Sequence, residues 1–194
     1  RDYTLFLHLL DDKGQRWGQF DGPLQDIDGA TSSEWAPGSQ HLCRFTMPLH
    51  AGIAPGEYQL ILGLYQPDDL TRLQLSDDEQ PLGTTLPVET LEVTWATVPA
   101  TPAELGIPQA QHISLANGIE ILDYDLAPQQ INSGEELSLT LYWQVTEAIS
   151  VDYELGIKIT GDAGTLAEYR REPLPAPHAT SSCPAGAAFA KQYQ

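Results

Sequence analysis

Acidic side chains are the commonest chemistry-bearing groups in this chain, and Asp26-Ile27-Asp28-Gly29 is where they are best spaced. Oxygen ligands at alternate positions followed by glycine are how a calcium loop begins. The later ligands and the distal glutamate of such a loop are missing, so a solvated turn is the plainer reading. Asp26 and Asp28 stand as the weak metal candidates, and no cofactor is expected. Asp77-Asp78-Glu79 reads as a solvated loop, and Asp123 and Asp125 flank Tyr124 on a strand facing solvent. Paired carboxylates across a cleft hydrolyse glycosides, but no pair is singled out. The five histidines (His8, His41, His50, His112, His178) are scattered, and none keeps metal-ligand spacing with another His or Cys. There is no Gly-x-Ser-x-Gly elbow, no phosphate loop and no His-Glu-x-x-His. The expectation is a protein that is not an enzyme, with no catalytic residues.

Aromatic side chains give the better lead. Exposed Trp and Tyr stack on sugar rings, burying apolar ring faces while their polar tips stay hydrated. Trp17, Trp35, Tyr65 and Tyr142 are the ligand-binding candidates; Trp95 and Trp143 follow apolar alternation and read as core. Charge narrows the partners. With 27 acidic against 9 basic residues the chain carries a net −18. That excludes nucleic acid, whose phosphates need clustered Lys and Arg. It also disfavours an anionic membrane surface, and no apolar run reaches the ~20 residues that span a bilayer. Cys43 and Cys183 read as incidental, with nothing in the sequence to support a bridge.

These side chains must be held by strands. Tyr3, Leu5, Leu7 and Leu9 alternate with Thr4, Phe6, His8 and Leu10. Tyr58, Leu60, Leu62 and Leu64 repeat the pattern, and Leu137, Leu139, Leu141, Trp143 and Val145 give its clearest form. Period-2 alternation sets one face against a core. No stretch has a convincing helical period. Asp11-Asp12-Lys13-Gly14 and Gly161-Asp162-Ala163-Gly164 read as matching hairpin turns, since Asp bonds its own backbone and Gly supplies positive φ. Pro55-Gly56 and Asn132-Ser133-Gly134 each precede a strong strand. With 15 prolines and 16 glycines between short apolar runs, the fold class is all-β: an immunoglobulin-like antiparallel β-sandwich.

The chain also reads as one pattern written twice. Asp2-Tyr3-Thr4-Leu5 matches Asp152-Tyr153-Glu154-Leu155, and Pro23-Leu24 matches Pro173-Leu174. After one deletion Ala30-Thr31-Ser32-Ser33 matches Ala179-Thr180-Ser181-Ser182, and after another Gly38 matches Gly186. In this frame Trp17 falls on Ala167, and Ala176-Pro177-His178 replaces the Asp26 turn. The expectation is a tandem repeat with truncated ends. Residues 1–97 form a repeat lacking its opening strands. Residues 98–109 form a Pro-rich linker. Residues 110–194 supply opening strands and part of a second repeat. Residues 110–150 are expected to pair back onto the first piece, or onto a neighbour by strand exchange between copies, because an open sheet edge must be covered.

The run Asp2-Tyr3-Thr4-Leu5-Phe6-Leu7-His8-Leu9-Leu10-Asp11 with Gly14 and Asp21-Gly22-Pro23, the Thr31-Ser32, Trp35 and Pro37-Gly38 set, Pro55-Gly56-Glu57-Tyr58, and Leu139-Thr140-Leu141-Tyr142-Trp143 resemble one family. It is the repeated β-sandwich modules in extracytoplasmic regions of bacterial polytopic membrane glycosyltransferases that use lipid-linked sugars. The resemblance implies an extracytoplasmic, non-catalytic spacer or interaction module of a larger envelope protein, itself membrane-anchored. Its partners would be another domain of that protein or a glycan. A carbohydrate-binding accessory module using exposed Trp and Tyr is the alternative, and a hydrolase with a dispersed site is the second.

Overall fold

The computed structural model describes the chain except for Asp78, Glu79, Pro108, Ala116, Ser133, Ala163, Glu172, residues 175–177 and Gln194. The loop reading of Asp78 and Glu79, the turn residues Ser133 and Ala163, and the comparison drawn at Ala176 and Pro177 lie outside the described residues. The architecture is all-β and antiparallel. It divides into two units, one of Arg1–His50 with Glu57–Leu91, the other of Ala51–Gly56 with Glu92–Gln194.

In the first unit β1 (Thr4–Leu10) lies between β2 (Arg16–Pro23) and β3 (Gly56–Tyr65), and β6 (Leu86–Val93) flanks β3. A small hairpin of β4 (Leu75–Asp77) and β5 (Gln80–Gly83) completes it. The β1 alternation holds only in part. Leu5 and Leu9 are buried as the period requires, and Phe6, from the opposite set, is buried too. The reason is a close approach on that side: an added Cβ on Gly63 would strike the Phe6 ring, and Arg72 lies over the ring at 4.8 Å. Glycine at 63 opens the space that a phenyl ring fills.

The second unit holds a sheet ordered β12 (Ala188–Tyr193), β9 (Ser138–Val145), β8 (Ile119–Ala127), β7 (Ile113–Ser114). The strands within 110–150 thus form their ladder with 188–193. Here period 2 holds from Leu141 onward: Leu141, Trp143 and Val145 are buried and the residues between them are not, while Leu137 and Leu139 are half-buried like Ser138 and Thr140. They pack with Ile119, Ile149, Leu174, Cys183, Phe189 and Tyr193, with Trp95 against the cluster. A bulge in β8 leaves Leu122 out of register with β9, between Ile121 and Asp123. Leu122 is 0% exposed and packs with Leu105 and Ile107, so the proline-rich stretch 98–109 contributes two core side chains. A separate two-stranded sheet joins β10 (Leu155–Gly161) to β11 (Gly164–Arg171).

The β1–β2 and β10–β11 hairpins share three local features. Gly14 and Gly164 both sit at positive φ, +78° and +114°. Both ladders are interrupted by one unpaired residue, Trp17 in the first and Leu166 in the second. Trp17 therefore stands opposite Leu166 in the comparison of the hairpins, one place from the Ala167 that direct alignment gives. Each hairpin is also tied to a later loop in the same way. Tyr3 N–H donates to Ser32 Oγ (2.9 Å) and Ser33 N–H to Asp2 Oδ1 (3.2 Å). Tyr153 N–H donates to Thr180 Oγ1 (2.8 Å) and Ser181 N–H to Asp152 Oδ1 (2.9 Å). The tie sets Ser32 against Thr180 and Ser33 against Ser181, again one place from direct alignment.

Candidate functional site

A connected polar arrangement in the first unit is built by the loop after β2. Asp26 closes its own turn: Oδ1 accepts the N–H groups of Asp28 (3.1 Å) and Ala30 (2.9 Å), as aspartate does in Asx turns. A backbone bond from Ile27 N–H to Leu42 C=O (2.9 Å) brings the end of the loop back beside its start. That bond sets His41 over Asp26, with Nδ1 2.8 Å from Oδ2. The hydrogen bond with His41 comes first among the contacts that hold the Asp26 carboxyl below its usual range, ahead of the Ala30 and Asp28 N–H groups. The other ring nitrogen, Nε2, lies 2.7 Å from Ser39 Oγ. Trp35 lies flat on the imidazole at 4.3 Å between centroids and 7° between planes. Its indole Nε1–H donates to Ala30 C=O (3.1 Å).

A serine hydroxyl, an imidazole and a carboxylate joined in this order are the parts of a nucleophile–base–orienter relay. The exposures fit that order, with Ser39 exposed and the His41 and Asp26 side chains 21% and 9% exposed. Ser39 Oγ also reaches Ala36 C=O at 2.6 Å. When its proton goes there, His41 must donate through both nitrogens, and the chain is a loop lock. When it turns to His41, the relay is complete. Sequence spacing did not announce this site: Asp26 and His41 are 15 residues apart in irregular chain, and long-range contacts such as the Ile27–Leu42 bond bring them together.

The metal reading of Asp26 and Asp28 meets a different arrangement. Both Asp26 oxygens are engaged by N–H groups or His41. Among the described residues no group of three or more His, Cys, Asp or Glu is gathered to hold a metal ion.

Each of the aromatic candidates has its polar tip engaged. Trp17 Nε1–H donates to Asp11 Oδ2 (3.1 Å), and its ring meets His50 edge-on at 5.9 Å. Tyr65 O–H donates to Asp21 Oδ1 (3.2 Å). Desolvation, ahead of that carboxylate, raises the Tyr65 phenol above its ordinary value. In the second unit Tyr142 O–H donates to Asp125 Oδ2 (2.7 Å), and its phenol is pushed up to about 12 by burial first and Asp125 second. Trp17, Trp35, Tyr65 and Tyr142 are all half-buried. Trp35 is the one that the structure joins to another candidate, Asp26, through His41. Asp123, whose Oδ1 accepts from Gln111 (2.9 Å), is the second carboxylate near Tyr142.

Among the described residues, three clefts can be placed in the second unit. One of about 170 Å³ lies in the core beside Trp143, Cys183 and Phe189. One of about 130 Å³ lies beside Ile53, Trp95 and Pro99. The largest, about 650 Å³, opens between the two sheets and is lined by Leu126, Leu139, Ile157, Ile159, Tyr169 and Tyr193 among others. None of the three is lined by Asp26, Ser39 or His41. Cys183 is buried, and burial pushes its thiol up to about 11; both cysteines are free. No helix among the described residues is long and apolar enough to cross a membrane. Compared with known proteins, the chain matches no family model, no curated protein and no solved structure.

Proposed function

We propose that this chain is a non-catalytic, immunoglobulin-like β-sandwich module in tandem. It acts as a spacer and interaction element outside the cytoplasm, as part of a larger bacterial envelope protein. The observation that carries the reading is the shared tie of the two hairpins. Asp2–Ser33 with Tyr3–Ser32, and Asp152–Ser181 with Tyr153–Thr180, repeat one architectural device in two units. A duplicated device that fixes strands is what a spacer needs, whereas the Asp26–His41–Ser39 group has no counterpart with these residues near Ser181. The half-buried aromatics, with their polar tips already bonded, serve packing in this reading.

One observation favours a second reading. The Ser39–His41–Asp26 chain has the connectivity of a hydrolase relay. One set of measurements separates the readings. The purified chain is titrated with soluble glycans under tryptophan fluorescence and treated with a fluorophosphonate probe. The module reading expects no saturable glycan signal and no labelling. A saturable signal abolished by Trp35→Ala replaces it with carbohydrate binding. Labelling at Ser39 that His41→Ala abolishes replaces it with hydrolysis.

A further inference from the structure

We propose that the outer edge of β10 is a strand-acceptor site, and that its ligand is an extended peptide strand of the β3 type. This deepens the interaction-module reading and rests on it.

In the first unit β1 is paired on both edges, with β2 on one side and β3 on the other. The β1–β3 ladder runs through seven residue pairs, from Thr4 opposite Tyr65 to Leu10 opposite Gln59. In the second unit β10 is paired, among the described residues, with β11 alone. Yet β10–β11 carries the turn glycine, the bulge position and the loop tie of β1–β2. The same hairpin is thus seen once with its third strand and once without it.

Side-chain burial agrees. Leu9 is 0% exposed beneath the three-stranded arrangement, while Ile159, its counterpart, is half-buried. Beside β10 opens the cleft of about 650 Å³, with Leu139 and Tyr193 on one wall and Ile157 and Ile159 on the other. Its exposed lining is mostly apolar, with Glu135, Glu136, Lys158 and Arg171 among the polar residues beside it. Such a cleft is the space the side chains of one further strand fill when it adds to a sheet edge.

Charge selects the occupant. Two β10 edges pairing antiparallel about their centre would bring two Lys158 ammonium groups into the same short window. Like charges placed so are destabilising, and a lysine on an edge strand is a device against self-pairing. A β3-type strand avoids this. Carried over from β1, its register sets Leu64 opposite Leu155, Leu62 opposite Ile157 and Leu60 opposite Ile159. The residue opposite Lys158 is then Ile61, which is uncharged. The chemistry recognised is therefore an alternating Leu-rich strand, entering after a Pro-Gly turn.

The test uses the full chain and a fluorescent synthetic peptide with the sequence of residues 54–66, solubilised by lysines outside the paired segment. Binding is read by anisotropy and register by hydrogen exchange. Saturable 1:1 binding with at least tenfold slowed exchange across 155–161 is expected. A peptide N-methylated along one edge should bind, and its partner methylated along the other edge should lose binding at least tenfold. These variants leave the protein untouched, so misfolding cannot imitate the loss. Binding by a scrambled peptide of equal strength would overturn the proposal. So would absence of protection on β10, or a dimer through β10 that the peptide cannot displace. Any of these failures leaves the glycan and probe results, and so the module reading, unaffected.

Discussion

The contrast between Leu9 and Ile159 offers the sharpest energetic test of the two hairpins. Replacing either by alanine removes three carbons. At about 0.8 kcal/mol per buried CH₂, full burial is worth about 2.4 kcal/mol before any cavity penalty. Leu9 is 0% exposed, so both terms apply, and Leu9→Ala should cost about 3–4 kcal/mol. Ile159 is half-buried against an open cleft. Its truncation loses roughly half the transfer term and creates little enclosed void, so about 1 kcal/mol is expected. Hydrogen exchange with mass spectrometry in graded urea reads peptides over β1 and β10 separately, which a chain of two units requires. Equal costs would refute the reasoning, because they would mean that β10 is as fully covered as β1. A Leu9→Ala cost below about 1 kcal/mol would refute the assignment of that face to the core.

Further outcomes follow from particular contacts. Gly63→Ala should cost about 1–3 kcal/mol by overpacking, since its Cβ would strike the Phe6 ring and lie 2.9 Å from Thr84 C=O; thermal unfolding checks this, and Phe6→Leu should recover part of the loss. Asp152 and Asp2 have carboxyls held below the usual 3.8, by hydroxyl and N–H donors of Ser181 for Asp152 and of Thr31 and Ser33 for Asp2. A depressed folded value stabilises above the unfolded value and is lost as pH falls through the folded one. Acid unfolding should therefore begin below about pH 4, and the double substitution to asparagine should flatten that limb in a pH series of urea midpoints. Ellman's reagent at neutral pH should label the half-buried Cys43 before the buried Cys183, whose thiol lies near 11; equal rates would place Cys183 at the surface. Asp26→Asn should loosen the Trp35–His41 stack, seen as a change in tryptophan emission that Asp28→Asn does not reproduce, because Asp26 alone of the two holds His41.

How much of this was legible depends on what each residue's partner is. The β9 alternation was, since Leu141, Trp143 and Val145 obey the strand period with no competing demand. The turn at Gly14 was legible because positive φ is a local requirement. Phe6 was not, because its burial depends on a glycine more than fifty residues away. Leu105 and Ile107 share that difficulty: proline-rich composition describes the chain's stiffness, while their burial follows from a bulge that turns Leu122 toward them. The bulges at Trp17 and Leu166 shift the hairpin comparison by one place, and letter matching cannot see a residue that leaves the ladder. The Asp26–His41–Ser39 group escaped for the same reason as Phe6, since contacts across the loop, the Ile27–Leu42 backbone bond among them, assemble it.

The bulge has a practical consequence. Five residues separate the paired Leu10 and Arg16 in the first hairpin, and four separate the matching pair Thr160 and Thr165 in the second, where Gly161 and Gly164 pair once more. A one-residue change elsewhere in a ladder would turn a strand inside out. Here the difference stays at the far side of the bulge, and the paired faces below it keep their orientation. The stretch around Lys13 is therefore a natural place to graft an epitope, a dye or a surface tether. A handle inserted there would hang from the end of a rigid hairpin, and the apolar faces below would not register its length.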